Sequence, residues 1–200
     1  MTLKNKKLLV TGATGFIGAN IARRLLKEGC DVSIFTRRES DKWRIRDILK
    51  KVSDYIVDLT DEASVAAAVK RIKPEVIVHT AVYGGYSFQK DARKIFDTNF
   101  AGVINLLNAC KENGFELFLN TGSSSEYGIK DRPMKESDIL GPVTDSGVSK
   151  ASATLYCQAV AKREKVPIAT LRLFSPYGYF EDQSRLIPCV ALSCLKGDAI

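Results

Sequence analysis

The run Lys6-Lys7-Leu8-Leu9-Val10 passes without a break into Thr11-Gly12-Ala13-Thr14-Gly15-Phe16-Ile17-Gly18. Its first five residues read as a short buried strand. From Phe16 to Lys27 the apolar residues Ile17, Ile21, Leu25 and Leu26 recur at helical spacing. Three glycines therefore sit where a strand turns directly into a helix. There Gly12 permits a tight turn, Gly15 lets a diphosphate approach the backbone, and Gly18 lets the helix lie close to the sheet. Free N–H groups and the dipole at the helix start complete an anion cradle, to which Thr14, Phe16 and Ile17 also contribute.

Beyond this turn, strand and helix alternate. The expected strands are Val32–Phe35, Asp54–Val57, Val76–Val78, Leu117–Leu119 and Ile168–Leu173. The expected helices are Arg44–Lys51, Ala63–Ile72, Ala92–Lys111 and Val148–Lys165. Such alternation predicts an α/β chain: a Rossmann-like, doubly wound parallel sheet covered on both faces. Sheets of this kind bind ligands outside the carboxyl ends of their strands, so informative residues should follow strands.

Two hundred residues suit one domain with a substantial core, and 45% hydrophobic with 26% charged side chains is the balance of a soluble globular protein. No apolar run approaches the roughly 20 residues that cross a membrane, and the N-terminus lacks the pattern of a signal peptide. Cys30, Cys110, Cys157, Cys189 and Cys194 are odd in number and scattered, which fits reduced thiols in the cytoplasm and neither a disulfide framework nor a zinc site. With His79 as the only imidazole, no metal is expected. The net charge of +7 is partly local, in Arg37, Arg38, Lys42, Arg44, Arg46, Lys50 and Lys51. An anionic partner would explain the cluster, but a solvated basic helix is the preferred reading, with Trp43 a packing residue and no nucleic acid bound.

The Gly-x-x-Gly-x-x-Gly spacing of TGATGFIG resembles that of the extended short-chain dehydrogenase/reductases, the family of nucleotide-sugar epimerases, dehydratases and keto-reductases. In dinucleotide folds the residue ending the second strand reads the adenosine ribose: a carboxylate for NAD, an arginine for NADP. Here the strand ends Phe35-Thr36-Arg37-Arg38, so Arg37 is read as a ligand of the 2′-phosphate, and NADP(H) is preferred with NAD(H) left open. The resemblance implies that Asp58 and Leu59 contact adenine, that Thr80 and Ala81 leave room for the cofactor, and that Asn99 lines the site. His79 is read as structural.

In the loop Asn120-Thr121-Gly122-Ser123-Ser124-Ser125-Glu126-Tyr127-Gly128, Ser123 takes the family's hydroxyl position, four residues before the tyrosine. Its hydroxyl would donate to a substrate oxygen on which charge develops. Family dehydratases carry an Asp-Glu pair at the next two positions; Ser124 and Ser125 stand there instead, which argues against elimination. The family's Tyr-x-x-x-Lys appears as Ser146-Gly147-Val148-Ser149-Lys150, with a serine in the tyrosine position. Lys150 would normally hold the nicotinamide ribose and acidify the phenol; a serine hydroxyl is shorter and far less acidic, so impaired chemistry with intact cofactor binding is expected. Ser146 is read as an introduced substitution, since so much of the surrounding site survives, or else as a natural loss.

Leu171-Arg172-Leu173-Phe174-Ser175-Pro176-Tyr177-Gly178 resembles the segment beneath the nicotinamide, with Phe174 lining it. Ser184-Arg185-Leu186-Ile187-Pro188 resembles the start of a smaller lobe that binds the nucleotide-sugar, where Arg185 and Ser124 would meet substrate. The expected division is 1–175 for the dinucleotide domain and 176–200 for the beginning of a substrate lobe, cut short at Gly197-Asp198-Ala199-Ile200. The resemblance implies an NAD(P)-dependent oxidoreductase acting on a nucleoside-diphosphate sugar, by 4-keto-hexose reduction, with 4-epimerisation and non-catalytic cofactor sensing as alternatives. It also leaves open a homodimer through the helices at 92–111 and 148–165.

Overall fold

The computed structural model describes residues 3–86 and 88–197; the chain-end run Asp198-Ala199-Ile200 lies outside them. Six strands form one parallel sheet: β1 (Lys7–Thr11), β2 (Asp31–Thr36), β3 (Ser53–Ile56), β4 (Val76–His79), β5 (Leu117–Ser123) and β6 (Ile168–Leu173). Their spatial order is β3-β2-β1-β4-β5-β6. The order grows one way from β1 and the other way from β4, so a crevice opens beyond the carboxyl ends of these two strands.

Alternate side chains feed two cores. Leu9, Phe35, Ile77 and Phe118 join Val65, Val69, Leu106, Leu107, Cys157 and Val160 on one side. That side is covered by α2 (Glu62–Ile72), α4 (Gly102–Asn113) and α5 (Asp145–Glu164). Leu8, Val10, Val32 and Ile34 join Ala19, Ala22, Leu25, Ile45 and Ile48 on the other. There α1 (Phe16–Lys27) is the covering helix, and its bounds are those expected from its spacing. Because both faces are covered, Leu8, Leu9 and Val10 are all buried, giving the continuous apolar runs of a parallel sheet.

Three expectations are corrected. The basic stretch at 44–51 is two 3₁₀ turns, Trp43–Ile45 and Leu49–Lys51, not one helix. Ile45 and Ile48 are buried in the core, with Leu49 half-buried beside them, and the three-residue spacing of the two isoleucines suits that tighter turn. Of the basic side chains around it, Lys42 pairs with Asp54 at 2.5 Å and Arg44 Nε donates to the Phe180 carbonyl at 2.7 Å, while Asp47 within the stretch pairs with Arg23 of α1. The long helix expected from Ala92 is α3 (Ala92–Phe96), a π-helical turn (Asp97–Ala101) and α4. Finally, α5 starts at Asp145, three residues early, because the Thr144 hydroxyl caps it by accepting from Gly147 N–H at 3.0 Å. A further helix, α6 (Leu186–Lys196), follows β6. Among the described residues, no helix is long and apolar enough to cross a membrane.

Candidate active site at the switch point

The strand-to-helix turn is built by close approach. Gly12 has φ +71°, and a Cβ there would lie 2.6 Å from the backbone nitrogen of Ala81, at the end of β4. A Cβ on Gly18 would strike the Gly12 carbonyl and come within 2.7 Å of Thr80 Oγ1. That hydroxyl donates to the Thr11 carbonyl at 2.7 Å, so β1, β4 and α1 are locked together around the two glycines. Gly15 is the N-cap of α1; it brings no side-chain cap, and the first turn carries no acidic residue. The N–H groups of Phe16, Ile17 and Gly18 therefore face the crevice with the positive end of the helix dipole and no competing carboxylate. This donor set fits a diphosphate.

At the far edge, Arg37, Arg38, Glu39, Ile56, Val57, Asp58, Asp61 and Ser64 line a cavity of about 440 Å³. Asp58 accepts through Oδ1 from the Thr60 N–H at 2.9 Å and the Thr60 hydroxyl at 2.8 Å, leaving Oδ2 for a ligand. Burial works to raise its pKa, but the Thr60 hydrogen bonds with Arg37 and Lys94 hold it below the ordinary carboxylate value. Leu59 is buried, its carbonyl held by Asn105 Nδ2 at 2.9 Å. Arg37 does reach this cavity, where its Nε pairs with Glu39 Oε1 at 3.2 Å. Glu39 lies two residues past the position that the strand-end rule inspects, which is why its carboxylate went uncounted.

The end of β4 meets the end of β5 and the start of α5. His79 is fully buried, with Nδ1 hydrogen-bonded to Thr11 Oγ1 at 2.8 Å. Burial, reinforced by the Lys150 charge, pushes its pKa down to about 3, so the ring is neutral and structural. Lys150 Nζ donates to the Thr121 carbonyl at 2.8 Å, and Thr121 Oγ1 donates to the His79 carbonyl at 2.8 Å. Burial lowers the Lys150 pKa to about 8, against the opposing pull of the Glu126 carboxylate.

Two residues beyond Thr121, Ser123 Oγ accepts from the Ser125 N–H at 3.1 Å and from the Ser125 hydroxyl at 2.8 Å. Both acceptor positions of the oxygen are engaged, so its own proton is left to donate. Ser124 follows in the same half-buried turn. Ser146 stands one helical turn before Lys150 and is half-buried against the loop after β4, its Cβ 3.5 Å from where a Gly84 Cβ would be. Neither nearby phenol substitutes for it: Tyr127 OH accepts from Arg172 at 3.0 Å, and Tyr156 OH donates to Asn108 at 3.5 Å.

Asn99 is buried, and the π-helical turn aims its amide at the loop after β4. It accepts from Tyr83 N–H at 2.9 Å and donates to the Tyr83 carbonyl at 2.8 Å and to Ser149 Oγ at 3.0 Å. It braces the site from behind, where the sequence suggested a lining residue. Phe174 is 57% exposed at the end of β6, its ring 6.1 Å from that of Tyr127. Arg185 is the N-cap of α6; it donates to the Gly85 carbonyl, and its guanidinium lies 5.0 Å over Tyr86. The rim thus brings together the α1 cradle, Thr80, Ala81, Ser123, Ser146 and Lys150, with Arg37 and Asp58 in the cavity at its far edge.

Glu126 and Arg172 are what the sequence reading missed. Glu126 is fully buried, accepts from the Ser123 N–H at 2.7 Å, and pairs with Arg172 Nε at 3.0 Å. The Ser-x-x-Glu spacing of a capping box, Ser123 to Glu126, was the available signal. Among the described residues, no cluster of His, Cys, Asp or Glu converges as a metal site.

The chain is 28% identical over 96% of its length to a UDP-glucose 4-epimerase of Lactobacillus helveticus, of which it spans 61%. It is 30% identical over 86% of its length to a protein of Rhizobium meliloti named "Probable UDP-glucuronate 4-epimerase", of which it spans 54%. Among solved structures, the UDP-glucose 4-epimerase of Thermus thermophilus in complex with NAD superposes with a TM-score of 0.84 at 27% identity, covering 96% of this chain and 64% of that one. The chain therefore spans little more than half the length of the relatives it matches. The model of the NAD dependent epimerase/dehydratase family matches residues 8–200, and the chain belongs to that family.

Proposed function

We propose that this chain is the dinucleotide-binding part of an oxidoreductase that acts on a nucleoside-diphosphate sugar, reducing a 4-keto-hexose. The observation that carries the reading is the meeting, at one rim, of the uncapped α1 N-terminus, the Ser123 hydroxyl and the buried Lys150 ammonium. A bound nicotinamide dinucleotide would supply or accept a hydride there. Gly12, Thr14, Gly15, Phe16, Ile17 and Gly18 would hold its diphosphate, Asp58 and Leu59 its adenine, and Lys150 its nicotinamide ribose, with Thr80, Ala81 and Phe174 beside the reactive half. Ser123 would donate to the substrate oxygen as negative charge develops. Ser124 and Ser125 supply neither acid nor base for elimination, which favours reduction over dehydration. Arg185 and Ser124 would meet the nucleotide-sugar.

NADP(H) is the preferred cofactor in this reading, because Arg37 lines the adenosine cavity and has only an exposed partner, Glu39, to release. Ser146 leaves proton delivery without a phenol, and slow turnover follows. A homodimer through α4 and α5 belongs to the same reading; Val148 and Leu155 are 37% and 55% exposed along the outer face of α5.

The test is to follow NADPH oxidation by this chain with a UDP-linked 4-keto-hexose. Slow, saturable oxidation supports the reading, and none above the rate without protein rejects it. A second reading, 4-epimerisation, is favoured by the names of the relatives. It requires NAD to stay bound through dilution and gel filtration, whereas reduction requires release. A third, cofactor binding without catalysis, is favoured by Ser146 and would show binding with no carbonyl turned over.

A further inference from the structure

The most unusual group near the rim is a carboxylate with no access to water. Glu126 lies at 0% exposure in the 3₁₀ turn after β5 (Ser124–Tyr127). Burying an unpaired carboxylate is very costly, so its surroundings should reveal what it serves. Oε1 takes the backbone N–H of Ser123 at 2.7 Å, and Oε2 takes Arg172 Nε at 3.0 Å. Arg172 also donates to Tyr127 OH at 3.0 Å and to the Glu136 carbonyl at 3.2 Å.

Space for the carboxylate is cut into the sheet. A side chain on Gly122 would collide with Glu126 Oε1 and crowd Thr170 and Arg172, its neighbours on β6. Gly122 points to the same face of β5 as Phe118, which packs in one core with Ala153, Cys157 and Val160 of α5. The carboxylate is therefore enclosed between the sheet and α5, the layer that also holds Lys150. Lys150 Nζ is bonded to the carbonyl of Thr121, the residue next to Gly122. One buried anion touches the residue that presents the Ser123 hydroxyl, and its charge acts on the Lys150 amine bonded one residue from Gly122.

We propose that Glu126 is a positioning residue of the active site, fixing the backbone of Ser123 and acting as the buried counter-charge that keeps Lys150 an ammonium. The role in catalysis rests on the function proposed above; the electrostatic role does not. Among the described residues, three titratable groups act on Lys150. Glu126 favours its charge, His79 on β4 is neutral, and Cys157 on α5 is held protonated with its pKa at about 12, while Arg172 on β6 competes for the Glu126 carboxylate. Without the carboxylate, burial acts on the amine unopposed, and Lys150 loses its proton nearer neutrality.

The experiment follows the ionisation of Lys150 by NMR in this chain carrying ε-¹³C lysine, with the signal assigned by its loss in Lys150→Arg. The expected midpoint is about 8. In Glu126→Gln it falls by about one pH unit, while Glu126→Asp, which keeps the charge, stays near the parent. Should Glu126→Gln fail to fold, Arg172→Gln decides: it frees the carboxylate of its competing cation, and the Lys150 midpoint rises. NADPH binding measured in parallel should be alike for parent and Glu126→Gln at pH 6.5 and roughly threefold weaker for the variant at pH 7.5. An unmoved Lys150 midpoint overturns the proposal whatever NADPH does. A shifted midpoint with neither NADPH nor NADH bound by either protein confirms the counter-charge, removes its link to the cofactor, and counts against the proposed function.

Discussion

Lys150 Nζ donates to the Thr121 carbonyl at 2.8 Å, and by this bond α5 is tied to the strand that ends in Ser123. Thr121 in turn holds the His79 carbonyl through its hydroxyl, and His79 holds Thr11. The polar row from α5 to β1 crosses the sheet just beneath the rim, and its members are all buried. The expected behaviour of the protein follows from that row and from the glycine turn beside it.

His79 should make the fold acid-sensitive. Its pKa is about 3 in the folded chain against an ordinary 6.5, so the folded state binds fewer protons than the unfolded state between these values. Stability then rises with pH through that window and is lost on acidification, by about 1.4 kcal/mol per pH unit. His79 is the only histidine, so the slope between pH 5 and 6.5 can be assigned to it. Urea unfolding across that range should show the slope in the parent and lose it in His79→Asn.

Gly18→Ala should damage both fold and binding. Its Cβ meets the Gly12 carbonyl and Thr80 Oγ1 with no flexible side-chain end to yield. Overpacking of this kind costs about 1–3 kcal/mol. Urea unfolding should report that loss, and dinucleotide affinity should fall with it because α1 is pushed off β1.

Arg37→Ala should separate the two cofactors. A charge-assisted hydrogen bond of about 1.5–3 kcal/mol corresponds to roughly 10- to 100-fold in affinity. Fluorescence titration should show NADPH binding weakened by that factor and NADH binding little changed. Unchanged affinity for both would assign Arg37 to its Glu39 pair alone.

Ser146→Tyr should restore proton transfer. A placed acid is worth about 10²–10⁴-fold, and the position lies one turn from Lys150 against Gly84. Turnover of the keto-sugar should rise by at least that lower factor, with cofactor affinity within a few-fold of the parent. No gain would count against the catalytic reading.

How far these features were readable from the residues depends on the range of the interactions behind them. The strand-turn-helix at Gly12–Gly18 is local: its glycines, periodicity and helix bounds are all written within twenty residues, and α1 falls where its spacing put it. The parallel sheet was legible because continuous apolar runs alternated with helical patterns. Arg44–Lys51 misled because helical periodicity over one or two turns does not separate an α-helix from successive 3₁₀ turns. The π-helical turn at Asp97–Ala101 was hidden because it is set by the bonds from Asn99 to Tyr83 and Ser149, partners 16 and 50 residues away. Ser123 and Lys150 were singled out by motif. Glu126 was passed over because its partner Arg172 is 46 residues distant and only β-pairing brings them together.

The central claim, that a nicotinamide dinucleotide rests its diphosphate on the α1 N-terminus, is tested most directly by calorimetric titration of this chain and of Gly15→Asp with NADPH and NADH. Gly15 has φ −82° and ψ 171°, a conformation open to aspartate, which is a good N-cap, so the helix should survive while its carboxylate takes the N–H groups meant for phosphate. One binding site in the parent, lost in the variant, is the predicted result. A parent that binds neither nucleotide, or a variant that binds as the parent does, would contradict it.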